Sequence, residues 1–293
     1  MSAQAVTAGD WVAGARPRTL PLAVAPVVLG AASAQWAGAF DLVSFVLCVV
    51  VAVALQVGVN YANDYSDGIR GTDATRVGPA RLTGSGRVHP AKVKRAALVS
   101  FAFAVVAGLG LVVVSGLWLL LGVGALALVA ARFYTGGRRP YGYQGFGEIV
   151  VFVFFGLVAT IGTAWVMVGS IPGETWLTGS AAGFFASAVL LVNNIRDREQ
   201  DAQVGKKTLA VRLGDRPSRI LLVVLLLLPY VILGILSLVF VWAPVVFITG
   251  IVTGVIIVIV LSARTPKELI TALGLMSLNA VSYALGLGAA IAF

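Results

Sequence analysis

Apolar residues run along this chain in nine long stretches, near 20–37, 42–63, 95–114, 117–133, 146–168, 176–194, 220–240, 243–261 and 269–292. About 20 apolar residues of helix cross the roughly 30 Å hydrocarbon core of a bilayer. The pattern therefore predicts an all-α integral membrane protein with nine transmembrane helices. Some joints are slight. Ser115-Gly116 alone separates the third and fourth stretches, and Trp242-Ala243-Pro244 the seventh and eighth. No leader with a cleavable pattern is read at the N-terminus, where Arg16-Pro17-Arg18 runs into a spanning stretch.

Charge placement supports the count. All 21 Lys and Arg fall in the N-terminal segment or in 70–95, 132–139, 196–219 and 264–267. With nine spans, these segments share one side, and the positive-inside rule makes that side cytoplasmic. The expectation is a multi-pass plasma-membrane protein, N-terminus inside and C-terminus outside. Composition agrees, at 59% hydrophobic and 11% charged. The net charge of +9 follows largely from this topology, with anionic headgroups of membrane lipid as partners. No separate basic domain or recognised motif points to nucleic acid. Cys48 and His89 are single, so neither a disulfide framework nor a Cys/His metal centre is supported. Nothing in the sequence sets an oligomeric state.

Two acidic motifs interrupt the apolar pattern, NYANDYSDGIRGTD at 60–73 and NNIRDREQD at 193–201. Asn60, Asp64 and Asp67 are spaced four and three; Asn193, Asp197 and Asp201 are spaced four and four. Such intervals gather side chains on one helix face. The two Asn-x-x-x-Asp units lie 133 residues apart, from 60 to 193, as an internal repeat would place them. Four helices separate equivalent positions, so the two copies run in parallel. Carboxylates at helix C-termini face the negative end of the dipole and repel one another. A hard divalent cation offsets both effects. Mg2+, with Mn2+ as an alternative, takes oxygen ligands and commonly shares phosphate oxygens with a substrate. Asn60 and Asn193 would add amide oxygens or orient the carboxylates. Whether Asp67 or Asp73 completes the first set stays open; Asp67 shares the face of Asp64.

Cations follow both motifs: Arg70, Arg76, Arg81 and Arg87 after the first, Lys206, Lys207 and Arg212 after the second, with Arg138 and Arg139 between helices 4 and 5. Near a metal-bound diphosphate they would stabilise it as a leaving group. Tyr134, Tyr141 and Tyr143 fit two roles equally, an interfacial aromatic belt or ring faces that stabilise an allylic cation.

Together these segments resemble the intramembrane aromatic prenyltransferase (UbiA-like) superfamily over essentially the whole chain. The resemblance rests on Asn60, Asp64 and Asp67, on Asp197 and Asp201, on Arg81-Leu82-Thr83-Gly84-Ser85-Gly86, and on Tyr134 through Arg138-Arg139. RPRTLP (16–21), YTGGRRPYGYQGFGE (134–148) and NNIRDREQDAQVGKKTLAVRLG (193–214) are most similar to the menaquinone-pathway branch that takes 1,4-dihydroxy-2-naphthoate. The first motif departs from the wider superfamily by spacing its second Asp three residues on instead of four.

The resemblance implies one transmembrane domain over 1–293. It would hold two four-helix repeats, about 16–133 and 141–262, plus an extra helix at 269–292, around a central cavity. It implies Mg2+-dependent transfer of a polyprenyl group from polyprenyl diphosphate to the naphthoate, with decarboxylation, giving demethylmenaquinone. Asn60, Asp64, Asp67, Asn193, Asp197 and Asp201 would hold metal. Arg81, Arg138, Arg139 and Lys206 would hold diphosphate, and Tyr134 and Tyr141 would face the allylic cation. Rival readings are a relative with another acceptor, such as 4-hydroxybenzoate, and a cation-coupled transporter. The transporter predicts acids near mid-membrane, and here they lie at helix ends.

Overall fold

A computed structural model describes residues 6–72 and 81–293, which form helices joined by short loops. Among the described residues, seven helices are long and apolar enough to cross a membrane: α3 (Leu42–Ile69), α4 (Pro90–Ser115), the rod Gly147–Val168, α8 (Glu174–Arg196), α11 (Asp215–Leu236), the rod Ala243–Ser262 and α13 (Pro266–Ala292). An eighth is bent: α1 (Ala8–Ala15) and a short 3-10 turn meet α2 (Pro21–Trp36) at 48°. Leu120–Thr135 forms α5, an apolar helix of 16 residues and shorter than the others. The nine expected spans thus map onto seven long helices, one bent pair and one short helix. Exposed Phe103, Val106 and Val113 on α4, and Ile251 and Val258 on α12 (Thr249–Ser262), give the bundle an apolar outer surface. The chain is a multi-pass membrane protein.

Local chemistry sets several helix ends. Asp41 accepts the Ser44 amide at 2.7 Å and starts α3, and that bond holds its carboxyl below the usual range. Thr265 and Glu268 form a reciprocal capping box on α13. The rod Gly147–Val168 consists of α6 (Gly147–Phe152) and α7 (Ala159–Val168), joined by a wide π turn at Val153–Val158.

The interior is asymmetric. α8 is central, packed against α2, α11 and α13, and its apolar window is 72% buried against 17% for α3. Leu191, Leu222, Leu226, Leu233, Ile256 and Leu287 fill the second half of the bundle. A polar network fastens that half. The Tyr230 hydroxyl lies 2.9 Å from Thr249 Oγ1 and 2.8 Å from Thr253 Oγ1, and Asn279 donates to Thr253 at 2.8 Å and to Tyr230 at 3.2 Å. In an apolar medium such bonds join helices that hydrophobicity alone does not hold together. The first half is hollow. Small residues on α4 and α5, among them Ala104, Gly108, Gly124 and Ala127, leave a cavity of about 510 Å³ walled by helices α2 to α8.

Asn279 is 1% exposed and ties α13 to α11 and α12. Asn279→Ala should therefore destabilise the bundle by about 1 kcal/mol, read as a lowered melting temperature in detergent micelles. An unchanged melt would show that the network carries no stability.

Candidate active site

The first acidic motif occupies the last turns of α3. Asp64 is 1% and Asp67 4% exposed. Both Asp64 carboxylate oxygens accept main-chain N–H groups, Oδ2 from Leu82 and Oδ1 from Thr83, each at 2.8 Å. Gly68 makes this contact feasible. It lies one turn after Asp64 on the same face, and a Cβ there would come within 2.4 Å of Thr83 Cγ2. The 81–86 turn can thus lie directly on the helix. Arg81, half-buried, begins that turn. Asp73 and Arg76 lie outside the described residues.

The second motif straddles a break. α8 ends at Arg196, Asp197 sits at φ −94° and ψ 2°, and α9 (Arg198–Gln203) follows. Helix-type bonds persist across the break, from Asp197 N to Asn193 O at 3.0 Å and from Asp201 N to Asp197 O at 2.8 Å. The expected spacing on one helical face therefore holds through two short pieces. Arg196 grips Asp197 with two bonds of 2.7 Å. Gly205, at φ +78°, turns the chain back so that Lys206 N donates to Asp201 O at 2.8 Å.

Lys206 joins the motifs. Its Nζ lies 3.6 Å from Asp67 Oδ2 and 3.5 Å from Asp201 Oδ1, and 4.6 Å from the centre of the Tyr143 ring. The Tyr143 hydroxyl donates to Asp67, and the Arg70 guanidinium lies 5.2 Å from the same ring's centre. Burial first, and then the Asp67 carboxylate, push the Tyr143 phenol up, which keeps it protonated as a donor. Arg70 also donates to the carbonyls of Thr135 and Gly137, fixing the loop after α5 against the first motif.

The cavity meets the motifs at its polar end, where Arg16, Gln56, Asn60, Asn63 and Asn193 line it. Asp64 and Asp197 lie one turn beyond Asn60 and Asn193. Asn60 Nδ2 donates to Ala15 O at 2.9 Å, and Asn193 Nδ2 to Val189 O at 3.0 Å, so both side-chain oxygens are left for another partner. Tyr134 and Tyr141 line the wall with ring centres 5.5 Å apart. Val105 and Leu109 of α4 and Leu121 of α5 both line the cavity and are exposed, so its apolar wall reaches the lipid-facing surface. α1 covers the polar end: Tyr61 donates to Trp11 O at 2.8 Å, and Arg87 pairs with Asp10 at 2.7 Å.

Residues 23–291 match the UbiA prenyltransferase family. The chain belongs to that family. It is 46% identical over 288 residues to a 1,4-dihydroxy-2-naphthoate octaprenyltransferase of Mycobacterium tuberculosis, with 97% of each chain covered. Its fold is similar to the apo structure of a UbiA homologue from Aeropyrum pernix K1, at a TM-score of 0.72 and 15% identity over 93% of this chain and 98% of that one. It is also similar to a UbiA homologue from Archaeoglobus fulgidus bound to GPP and Mg2+, at a TM-score of 0.60 and 15% identity over 97% and 100% of the two chains.

Within this UbiA fold, the structure brings Asp67, Asp201 and Lys206 together and sets Asn60, Asn193, Tyr134 and Tyr141 around the cavity. Arg138 and Arg139 are exposed on the 136–140 loop and, among the described residues, make no side-chain contact with either motif. The sequence offered Arg70 as one of several cations for a diphosphate and Tyr143 as belt or cation-facing ring; here both instead hold the first motif and its neighbouring loop. Sequence reasoning passed over Glu148, which is buried on α6 and accepts from Asn194 at 2.8 Å beside the second motif. The available signal was a lone acid at the edge of an otherwise uncharged apolar stretch.

Gly68→Ala should push the 81–86 turn away from Asp64. Trypsin should then cut after Arg81 or Arg87 faster than in the wild type, with a stability loss of about 1–3 kcal/mol. Equal cleavage rates would mean that the turn does not depend on this close approach.

Proposed function

We propose that this protein transfers a polyprenyl group from polyprenyl diphosphate to 1,4-dihydroxy-2-naphthoate, releasing carbon dioxide and forming demethylmenaquinol, the reduced form of demethylmenaquinone. The observation that carries the reading is the meeting of two acidic motifs at the polar end of an apolar cavity, in a chain that aligns almost end to end with a naphthoate octaprenyltransferase. In the reaction, the allylic carbon–oxygen bond breaks and its electron pair leaves with the diphosphate. An electron pair of the naphthoate ring forms the new carbon–carbon bond. The carboxylate departs as carbon dioxide and returns its electron pair to the ring.

The residues present fit a divalent ion of the Mg2+ type. Among the described residues, no three His, Cys, Asp or Glu side chains converge into a closed metal cage. Mg2+ characteristically takes one or two carboxylates and completes its shell with water and substrate phosphate. Asp67 and Asp201, which share the Lys206 ammonium, would act with the side-chain oxygens of Asn60 and Asn193 at the cavity's polar end, and Asp64 and Asp197 stand one turn from those amides. When bound, the ion would neutralise charge on the departing diphosphate. The related Archaeoglobus fulgidus protein, bound to GPP and Mg2+, supports this choice.

Arg81, Arg138, Arg139 and Lys206 would supply positive charge for the diphosphate, Arg138 and Arg139 from the exposed 136–140 loop. Tyr134 and Tyr141 present their rings where the allylic cation would form. Arg16 lines the wall and would meet the acceptor's carboxylate. The prenyl tail would leave through the apolar opening at Val105, Leu109 and Leu121 into the bilayer.

Purified protein given Mg2+, a prenyl diphosphate and either dihydroxynaphthoate or 4-hydroxybenzoate should yield a decarboxylated prenyl naphthoate, identified by mass spectrometry. A prenylated hydroxybenzoate alone would overturn the acceptor assignment. Asp67→Asn and Asp201→Asn should each raise the Mg2+ concentration needed for half-maximal rate, and Asp64→Ala should cost about 3 kcal/mol, roughly a hundredfold in rate. Near-normal turnover in all three would make the motifs structural.

The charge pattern supports nine crossings in one domain, with Leu120–Thr135 as the short one and the bent α1–α2 pair counted once. The repeats would be about 16–133 and 141–262, followed by helix 269–292. Reporter tags at the N-terminus and after Arg87 should then read as cytoplasmic, and a C-terminal tag as external. A cytoplasmic C-terminus would reject the nine-crossing arrangement.

A further inference from the structure

Lys206 occupies an unusual position for a residue expected to bind diphosphate. Its ammonium stands between a carboxylate of each motif, at 3.6 Å from Asp67 and 3.5 Å from Asp201. Both distances are longer than the 2.7–2.9 Å of a committed charge-assisted bond, so the charge is shared between the two. The Tyr143 ring face lies 4.6 Å away, and the Tyr143 hydroxyl holds Asp67. The backbone fixes the lysine on both sides: Lys206 N donates to Asp201 O and Lys207 N to Tyr143 O, each at 2.8 Å. The side chain is buried, with the two carboxylates as its ion-pair partners.

This arrangement has a consequence for the order of binding. Asp67 and Asp201 carry like charge and are both buried, so they repel one another across the site. Lys206 offsets that repulsion and holds the two halves of the chain together. The same ammonium repels any divalent ion approaching the same two carboxylates. A diphosphate, with several negative charges, can draw the ammonium onto itself and open the seat.

We propose that Lys206 guards the metal seat in the free enzyme, bridging Asp67 and Asp201 until a diphosphate draws its ammonium away, so that the divalent ion and the diphosphate bind as a pair. This rests on the metal–diphosphate reading above and extends it to the order of binding. Because coupling is reciprocal, each partner then raises the affinity for the other.

The test is Mn2+ binding to the purified full-length protein in detergent micelles, followed by electron paramagnetic resonance of the free ion. It is run with and without geranyl S-thiolodiphosphate, whose carbon–sulfur bond resists ionisation, and corrected for Mn2+ held by the analogue alone. Wild type should bind Mn2+ at least tenfold more tightly with the analogue. Lys206→Met should bind Mn2+ without analogue at least tenfold more tightly than wild type, and the gain on adding analogue should shrink. Lys206→Arg keeps the charge and should stay near wild type. Lys206→Gln serves as the neutral variant if Lys206→Met fails to give a monodisperse protein. Neutral variants that bind Mn2+ no more tightly than wild type in the absence of analogue would overturn the guard. The measurement uses no acceptor, so a chain that behaves as stated but makes no prenyl naphthoate would overturn the acceptor assignment alone. Absence of Mn2+ binding even with analogue would overturn both the metal reading and the guard.

Discussion

Four aspartates gathered at one end of an apolar bundle need partners close by, because the dielectric that screens charge in water is largely missing there. Every one of them has a donor. Asp64 takes two main-chain amides, Asp67 the Tyr143 hydroxyl and the Lys206 ammonium, Asp197 the Arg196 guanidinium, and Asp201 the same ammonium as Asp67. Much of the surrounding architecture serves these contacts. The 81–86 turn lies on Gly68 to deliver amides, the loop after α5 is held by Arg70, and the Gly205 turn returns Lys206 to the motif that precedes it. Loss of any of these would leave a buried carboxylate short of a partner, a larger penalty than the worth of the contact itself.

The two halves of the chain divide the remaining work. The second half is filled by branched aliphatic side chains and fastened by the Tyr230–Thr253–Asn279 network, so it supplies a rigid wall behind α8. The first half is lined by Ala and Gly on α4 and α5 and stays hollow. The π turn at Val153–Val158 carries Phe154 and Phe155 to the cavity wall. α8 belongs to both halves. It is packed on one side and cavity-lining on the other, and it ends in the second acidic motif, so packing in the filled half fixes the geometry of the hollow one.

Hydropathy and motif spacing each report on neighbours along the chain, and these were legible. An apolar run must become a helix in a bilayer, because no other isolated segment satisfies its own backbone there. The joint at Ser115-Gly116 falls where α4 ends, and Trp242-Ala243-Pro244 falls where the rod Ala243–Ser262 begins. The four-residue intervals of Asn60–Asp64 and Asn193–Asp197 survive as successive helical turns even where α8 breaks at Asp197. The two motifs lie 133 residues apart, and Lys206 stands between one carboxylate of each.

Contacts between distant segments were not legible, because they depend on how helices dock and not on any local pattern. Lys206 was expected among the cations of the site, yet its place between Asp67 and Asp201 arises only when α3 and α9 are brought together. Arg138 and Arg139 read as motif residues but lie exposed, whereas Arg70 and Tyr143, read as one of several cations and one of three tyrosines, hold the first motif. Glu148 and Asn194 are 46 positions apart and meet across α6 and α8. By itself the sequence determined the membrane class and the helical segments, since each follows from composition and periodicity within a turn or a span. Tertiary structure decided which charges face one another and where the interior stays empty, since both are set by the close approach of helices far apart in the chain.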